Sequence, residues 1–261
     1  MFELQYFLIG IIQGITEFLP ISSSGHLVLF AQLTNWEDQG LFTDIAVHFG
    51  TLFAVIFYMR KDIFFLIINI FKLEFLKNKI VLKITVATLP SIFIGFFIFD
   101  LVSLYFRDVK VIAYSSLIFG IILYFADKTK TTKKDWKNIT FVESFIVGLW
   151  QVMAFIPGAS RAGVTITGAR FLHFDRINSA KFSMLLSIPI ILASLSLSLF
   201  DIFFFKHEII NLYPSIFASS IAFITALLSI NFMIKFIKFT NFNLFIIYRI
   251  ILGIILLGLN V

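Results

Sequence analysis

Six apolar stretches, at about 41–60, 79–100, 109–126, 180–203, 212–234 and 243–261, are each long enough to cross a bilayer as a helix. A crossing needs about 20 apolar residues, at about 1.5 Å each, to span roughly 30 Å of hydrocarbon. Backbone in lipid must satisfy its own hydrogen bonds, so such runs are helices. Composition agrees: 59% of residues are apolar, 14% are charged and there is no cysteine, whereas a soluble domain carries roughly 25% charged residues. This excludes a disordered chain, a disulfide-stapled domain and a zinc protein built on thiolates. A net charge of +6 and a pI near 9.5 would suggest nucleic acid for a soluble chain. No nucleic-acid partner is expected here, because the charge is distributed as loops of a membrane protein require. No cleavable signal peptide is expected either: Glu3 is the only early charge and the first basic residue is Arg60.

Two further apolar regions are interrupted. The region 4–34 is broken by Glu17-Phe18-Leu19-Pro20-Ile21-Ser22-Ser23-Ser24-Gly25-His26, and the region 140–172 by Pro157-Gly158-Ala159-Ser160-Arg161-Ala162-Gly163. Each has the length to enter the bilayer and turn back at a polar kink. The Phe-rich segment 63–76, with Lys72, Glu74 and Lys77, has the pattern of an interfacial helix.

The two interruptions are related. Ile9-Gly10-Ile11-Ile12-Gln13 matches Val147-Gly148-Leu149-Trp150-Gln151, and Phe18-Leu19-Pro20 matches Phe155-Ile156-Pro157 after a one-residue skip. Pro20 to Ser23 then aligns with Pro157 to Ser160, and three apolar runs follow each copy. A hairpin makes no net crossing and three spans make an odd number, so the second copy lies inverted relative to the first. The expected fold is therefore an all-α integral membrane protein with an inverted-topology repeat. Each half is a re-entrant helix hairpin plus three transmembrane helices. The single membrane domain, 1–261, comprises pseudo-repeats of about 1–127 and 139–261, joined by a basic cytoplasmic loop at 128–138. On this topology sixteen Lys and Arg residues fall on one side, and only Arg107, Lys110 and Lys206 on the other. The positive-inside rule makes the first side cytoplasmic. The first hairpin then enters from outside, beside Glu37 and Asp38, and the second from the cytoplasm. Arg161 and Arg249 are left within the membrane.

Irregular backbone survives at membrane depth only inside protein or along a wet cavity, and paired broken helices point to a central site. Each break opens a half-helix whose free amides suit an anion. Ser22, Ser23, Ser24 and Ser160 add hydroxyls, and Arg161 adds a planar fork matched to phosphate. Glu17 and His26 add an acid or metal ligand and a titrating base. Gln13 and Glu17, four apart, share a helix face where one carboxylate and one amide suit a weakly held divalent cation. Structural readings stand beside these: serines that bond backbone, a histidine that only packs, and a Glu17–Arg161 pair that neutralises itself. Asp44 and His48 share a face one turn apart, where metal ligation or orientation of another site residue stands beside the favoured reading, an interfacial helix cap. Arg249 is explained by snorkelling to the cytoplasmic surface.

These motifs carry a resemblance. Gln13-x-x-x-Glu17, Glu17-Phe-Leu-Pro-x-Ser-Ser-Ser-Gly-His26 and Pro157-Gly-x-Ser160-Arg161-x-x-x-Thr165 are similar to the undecaprenyl-diphosphate phosphatases of bacteria, the bacitracin-resistance family. Asp44-Ile-Ala-Val-His48-Phe-Gly-Thr and Phe182-Ser-Met-Leu-Leu-Ser-Ile-Pro189 extend the similarity along the chain. The resemblance implies hydrolysis of undecaprenyl diphosphate to undecaprenyl phosphate and inorganic phosphate. That reaction recycles a cell-wall lipid carrier and gives bacitracin resistance. It also implies a divalent metal, Mg2+ or Ca2+, at Glu17 and Gln13. The catalytic set would be Glu17, Ser23, His26 and Arg161, with Ser22, Ser24, Ser160 and Thr165 binding substrate. Ala162 stands where the family usually has Ser, Lys181 where it more often has Arg, and Gln13 weakens a two-carboxylate cage.

The partners implied are a polyprenyl diphosphate lipid and membrane lipids; a homodimer is left open. The location implied is the bacterial inner membrane, multi-pass, with the site opening to the periplasmic face. Ser23 would attack the terminal phosphorus with help from His26; alternatively, His26 or Glu17 would activate water. The rival function is a lipid-phosphate flippase or transporter using the same inverted-repeat anion site.

Overall fold

The computed structural model describes residues 2–34, 36, 39–71, 79–105, 108–132, 134–204 and 211–258. Glu37, Asp38, Lys72, Glu74, Lys77, Arg107 and Lys206, which entered the topology argument above, lie outside the described residues.

Among the described residues the chain is helical, in the order α1 Phe2–Thr16, α2 Ser23–Thr34, α3 Leu41–Tyr58, α4 Arg60–Phe71, α5 Ile80–Tyr105, α6 Val109–Asp127, α7 Phe141–Val152, α8 Arg161–Phe171, α9 Arg176–Phe204, α10 Leu212–Phe239 and α11 Asn243–Gly258. Five of them are long and apolar enough to cross a membrane: α3, α6, α9, α10 and the Ile80–Ile98 part of α5. The protein is thus a multi-pass membrane protein by helix length and composition. The sixth expected span is shorter: α11 has 16 residues, about 24 Å of helix. The segment after α3 is helical over Arg60–Phe71, and the rest of the expected interfacial helix falls outside the described residues.

Both interrupted regions fold as hairpins of short helices, α1 with α2 and α7 with α8, whose members pack on each other. No member exceeds 15 residues, about 22 Å, so none makes a full crossing alone. Capping sets one boundary: Thr140 and Glu143 form a reciprocal capping box that starts α7.

The halves interlock by exchange. α1 packs on α10 and α7 packs on α5, so the first helix of each half lies against a long helix of the other. Glycine makes both approaches possible. A Cβ on Gly10 would meet the Ala218 carbonyl oxygen of α10 at 2.5 Å, and one on Gly148 would meet that of Ala87 of α5 at 2.5 Å. Small residues at such crossings let backbones approach where lipid supplies no hydrophobic drive. Gly10 and Gly148 are the residues matched when the two interrupted regions are aligned, and each sits at one of these two crossings.

A buried ionic cluster closes the end of the molecule where α6, α8 and α9 meet. Asp127 accepts from Arg176 through both carboxylate oxygens, at 2.7 and 3.1 Å, and from the Phe242 backbone amide at 3.2 Å. Arg170, fully buried, donates to the carbonyls of Asp127, Thr129 and Phe174. Removing the only carboxylate among these contacts would leave two guanidiniums uncompensated. Asp127→Ala is therefore expected to cost about 3 kcal/mol, the low end for a broken buried pair, because Arg176 is one-third exposed and partly screened. Thermal unfolding in detergent checks this; an unshifted midpoint would show that the cluster carries no stability.

Candidate functional site

The two breaks meet. Ser22 and Ser160 immediately precede α2 and α8, and both adopt left-handed backbone, φ 74° and 70°. For a residue with a side chain that conformation costs on the order of 1 kcal/mol or more, and it persists only where surroundings enforce it. By backbone shape Ser22 therefore corresponds to Ser160, one residue away from the register suggested by aligning the prolines. Ser23 then corresponds to Arg161, and both are the first residues of their half-helices.

Cross-links hold this junction. The Gly158 amide donates to Ser22 Oγ at 3.2 Å, joining the breaks directly. Gly158 has φ +90°, and a Cβ there would collide with the Ile112 carbonyl oxygen of α6 at 2.6 Å, so only glycine fits. Arg249 of α11 is completely buried and reaches both breaks. Its Nη1 donates to the Pro20 carbonyl at 3.3 Å, and its Nη2 to the carbonyls of Gly158 and Ala159 at 2.9 and 3.0 Å. This corrects the snorkelling expectation: α11 packs against α6, which turns Arg249 inward to carbonyls that irregular backbone leaves without helical partners.

Above the junction lies a cavity of about 360 Å3. Glu17, the first residue beyond α1, is its anchor. Its Oε1 accepts from Arg161 Nη2 at 2.7 Å; its Oε2 accepts from Ser23 Oγ at 2.7 Å and from Gln13 Nε2 at 3.0 Å. The carboxylate and guanidinium left in the membrane by the two copies are thus direct partners. Arg161 opposes the positive dipole at the start of α8, so its placement there requires an anion, and Glu17 supplies one. Arg161 Nη1 donates to the Ser183 carbonyl at 3.2 Å, and its guanidinium lies 5.6 Å from the Phe18 ring centre. These contacts use two of its five N–H groups.

The remaining expected residues divide. Ser22, Ser23, Ser24 and Ser160 line the cavity with Glu17 and Arg161. Ser160 also caps α8, accepting from the Gly163 amide at 3.1 Å. Gln13 is buried behind Glu17 and Thr165 behind Arg161. Thr165 bonds Ser183 Oγ at 2.6 Å, so it supports the residue whose carbonyl holds Arg161. His26 is not brought to the cavity. Its Nδ1 donates to the Ser22 carbonyl at 2.6 Å and its Nε2 accepts from the Tyr248 hydroxyl, with the rings stacked.

The histidine that lines the cavity is His48, whose Nε2 lies 3.8 Å from Glu17 Oε2. Its Nδ1 donates to the Asp44 carbonyl at 2.8 Å, which turns Nε2 inward toward Glu17. Asp44 lines the cavity too. Their four-residue spacing was the available signal; the interfacial-cap expectation is corrected, because the cap position of α3 is Gly40, with no side-chain cap hydrogen bond. Ser91, Gln151, Ser194 and Ser198 extend the polar lining from α5, α7 and α9. No single-sequence pattern marks these four as a group.

A hard divalent cation takes oxygen ligands and usually keeps several waters. Gln13 Oε1 is buried with no hydrogen-bond partner in the structure, beside Glu17. Among the described residues no three His, Asp or Glu side chains converge as a metal cage. Glu17 and the Gln13 amide oxygen would offer two oxygen donors to a weakly held cation, and they do not amount to a dedicated protein cage.

The comparisons with known proteins agree with this geometry in extent. The family model described as bacitracin resistance protein BacA matches residues 6–255. The undecaprenyl-diphosphatase of Jannaschia sp. (strain CCS1) is 40% identical over 258 residues, covering 96% of each chain. That of Campylobacter curvus (strain 525.92) is 40% identical over 255 residues, covering 95% of this chain and 96% of its own. That of Ruegeria pomeroyi (strain ATCC 700808 / DSM 15171 / DSS-3) is 39% identical over 258 residues, covering 97% of this chain and 96% of its own. With the match running through both breaks and nearly end to end, the chain belongs to the bacitracin resistance protein BacA family.

Proposed function

We propose that this protein hydrolyses undecaprenyl diphosphate to undecaprenyl phosphate and inorganic phosphate, the activity for which its relatives are named. It thereby returns the lipid carrier to cell-wall synthesis and confers bacitracin resistance. The observation that carries the reading is the convergence of Glu17, Ser23 and Arg161, from two different breaks, through 2.7 Å contacts in one cavity.

The diphosphate head enters the cavity, where Arg161 exchanges part of its contact with Glu17 for phosphate oxygens, aided by the free amides that open α8. Ser23 Oγ attacks the terminal phosphorus; its proton passes to Glu17 Oε2, which already accepts it, and undecaprenyl phosphate leaves. Water then attacks the phosphoserine phosphorus and the Ser23 Oγ–P bond breaks; Glu17 returns its proton to Oγ, restoring the hydroxyl, and the water oxygen leaves in inorganic phosphate while its surplus proton passes to solvent. His26 positions the first break through the Ser22 carbonyl and Tyr248. Ser22, Ser24 and Ser160 offer hydroxyls to the head, and Thr165 holds Arg161 through Ser183.

Two carboxylates, Glu17 and Asp44, face the cavity against one guanidinium, so the protein's own charges do not neutralise a diphosphate. Glu17 and Gln13 would hold a divalent cation, Mg2+ or Ca2+, whose charge would offset that of the phosphates. The domain is read as one unit of two inverted copies. The sixteen-to-three division of basic residues supports placement in the inner membrane with the cavity open to the periplasmic face. The transporter reading is not favoured, since the relatives are named for hydrolysis.

Purified protein in detergent, given a long-chain prenyl diphosphate, is expected to release phosphate with Mg2+ or Ca2+ and to stop on chelation. Detergent offers no second compartment, so release there is chemistry and not transport. Labelled phosphate is expected to be trapped on Ser23, and Ser23→Ala to abolish turnover. Absence of release in the presence of cation would overturn the function; wild-type turnover by Ser23→Ala would overturn the nucleophile.

A further inference from the structure

Beside the polar cavity, on the other face of α3, runs a groove of about 730 Å3 between α3 and α10. That is within the roughly 300–1,000 Å3 range of ligand sites. Its walls are aromatic: Phe42, Phe49 and Phe53 from α3 and Phe223 from α10, with Phe49 and Phe53 edge to face at 4.6 Å. The hydroxyls of Ser215 and Ser220 in its floor donate to the carbonyls of Asn211 and Ile216, so they do not require a polar ligand there.

We propose that this groove seats the part of the substrate's isoprenoid tail nearest the diphosphate, with the head in the cavity and Ile45 at the divide. The inference rests on the function proposed above and adds where the hydrocarbon goes. Adjacency to the head cavity commits it to the tail. Ile45 lines both spaces, and on α9 the consecutive residues Ser198 and Leu199 line the cavity and the groove respectively. α3 is therefore a partition, with Asp44 and His48 on its polar face and Ala46 and Phe49 on its apolar one.

The groove cannot select a chain by hydrophobicity, because bilayer tails are equally apolar. It selects by shape. Rigid rings and small floor residues pack differently against a methyl-branched, unsaturated chain than against a straight saturated one.

The test compares kcat/KM for a polyprenyl diphosphate and for a straight-chain alkyl diphosphate of matched length. Wild type is expected to prefer the isoprenoid by about tenfold, a modest discrimination of the kind packing supplies. Ser220→Phe, which fills the groove, and Phe53→Ala, which removes a wall, are each expected to bring the ratio near one. Ile254→Phe, on the lipid-exposed side of α11, is expected to keep the wild-type ratio. A ratio near one in wild type, or a preference that survives in Phe53→Ala, overturns the groove even if phosphate release is normal.

If wild type releases phosphate from neither substrate, the proposed function fails instead. The groove is then decided by photocrosslinking with a diazirine-bearing polyprenyl phosphate. Label concentrated on α3 and α10 and reduced by Ser220→Phe sustains it. Label spread over all lipid-exposed helices, the behaviour of bulk lipid, overturns it.

Discussion

Arg161→Ala is expected to lower phosphate release by about two to three orders of magnitude, the usual cost of removing one donor aimed at developing charge. The protein should still insert and keep its helical content. Among the described residues Arg161 is the cavity's only guanidinium, and it is already oriented by Glu17 and by the Ser183 carbonyl. Truncation removes a preorganised fork and leaves Glu17 facing the incoming phosphates without its counter-charge. Arg161→Lys keeps the charge but not the fork. An ammonium cannot serve Glu17, the Ser183 carbonyl and a phosphate in one plane, so turnover is expected to fall by at least about tenfold. Steady-state kinetics in detergent separate the cases, and a lysine variant equal to wild type would remove the planar clamp from the mechanism.

Arg249→Met is the second large effect, and there activity and stability part company. The substitution leaves the carbonyls of Pro20, Gly158 and Ala159 without their donor, each loss worth about 1.5–3 kcal/mol for a charged partner. It also relieves the cost of burying a guanidinium with no carboxylate among its contacts, several kcal/mol of opposite sign. The two nearly offset, so the unfolding midpoint is expected to move little. Turnover is expected to fall by about a hundredfold or more, because a guanidinium that bonds three carbonyls across both breaks is gone and Ser23 and Arg161 are held less firmly in register. Normal kinetics in Arg249→Met would show that the junction is fixed without it. A large drop in stability together with activity would make Arg249 a plain structural support.

Much of the fold was legible because membrane crossing is a one-dimensional problem. The runs at 41–60, 79–100, 109–126, 180–203 and 212–234 each contain a long helix, and the two polar interruptions are hairpin turns. The pairing of Glu17 with Arg161 was approachable for the same reason, since an ionised group in lipid needs a partner. The serine register was not legible: aligning Pro20 with Pro157 is off by one at the left-handed residues. Only the backbone shows that Ser22 answers to Ser160.

What the chain determined alone is that it lives in a membrane and that two of its apolar regions each bring charged and hydroxyl groups to a break in the sequence. Periodicity, length and the cost of burying charge are enough for that, because each is a local property. The tertiary structure decided which groups face one another. α2 turns Ser23 toward Glu17 and His26 toward Tyr248, α3 presents His48 to the cavity, and α11 directs Arg249 inward to both breaks. Those choices depend on the rotation of each helix about its axis, which is set by the shapes packed against it and is written in no single segment of the chain.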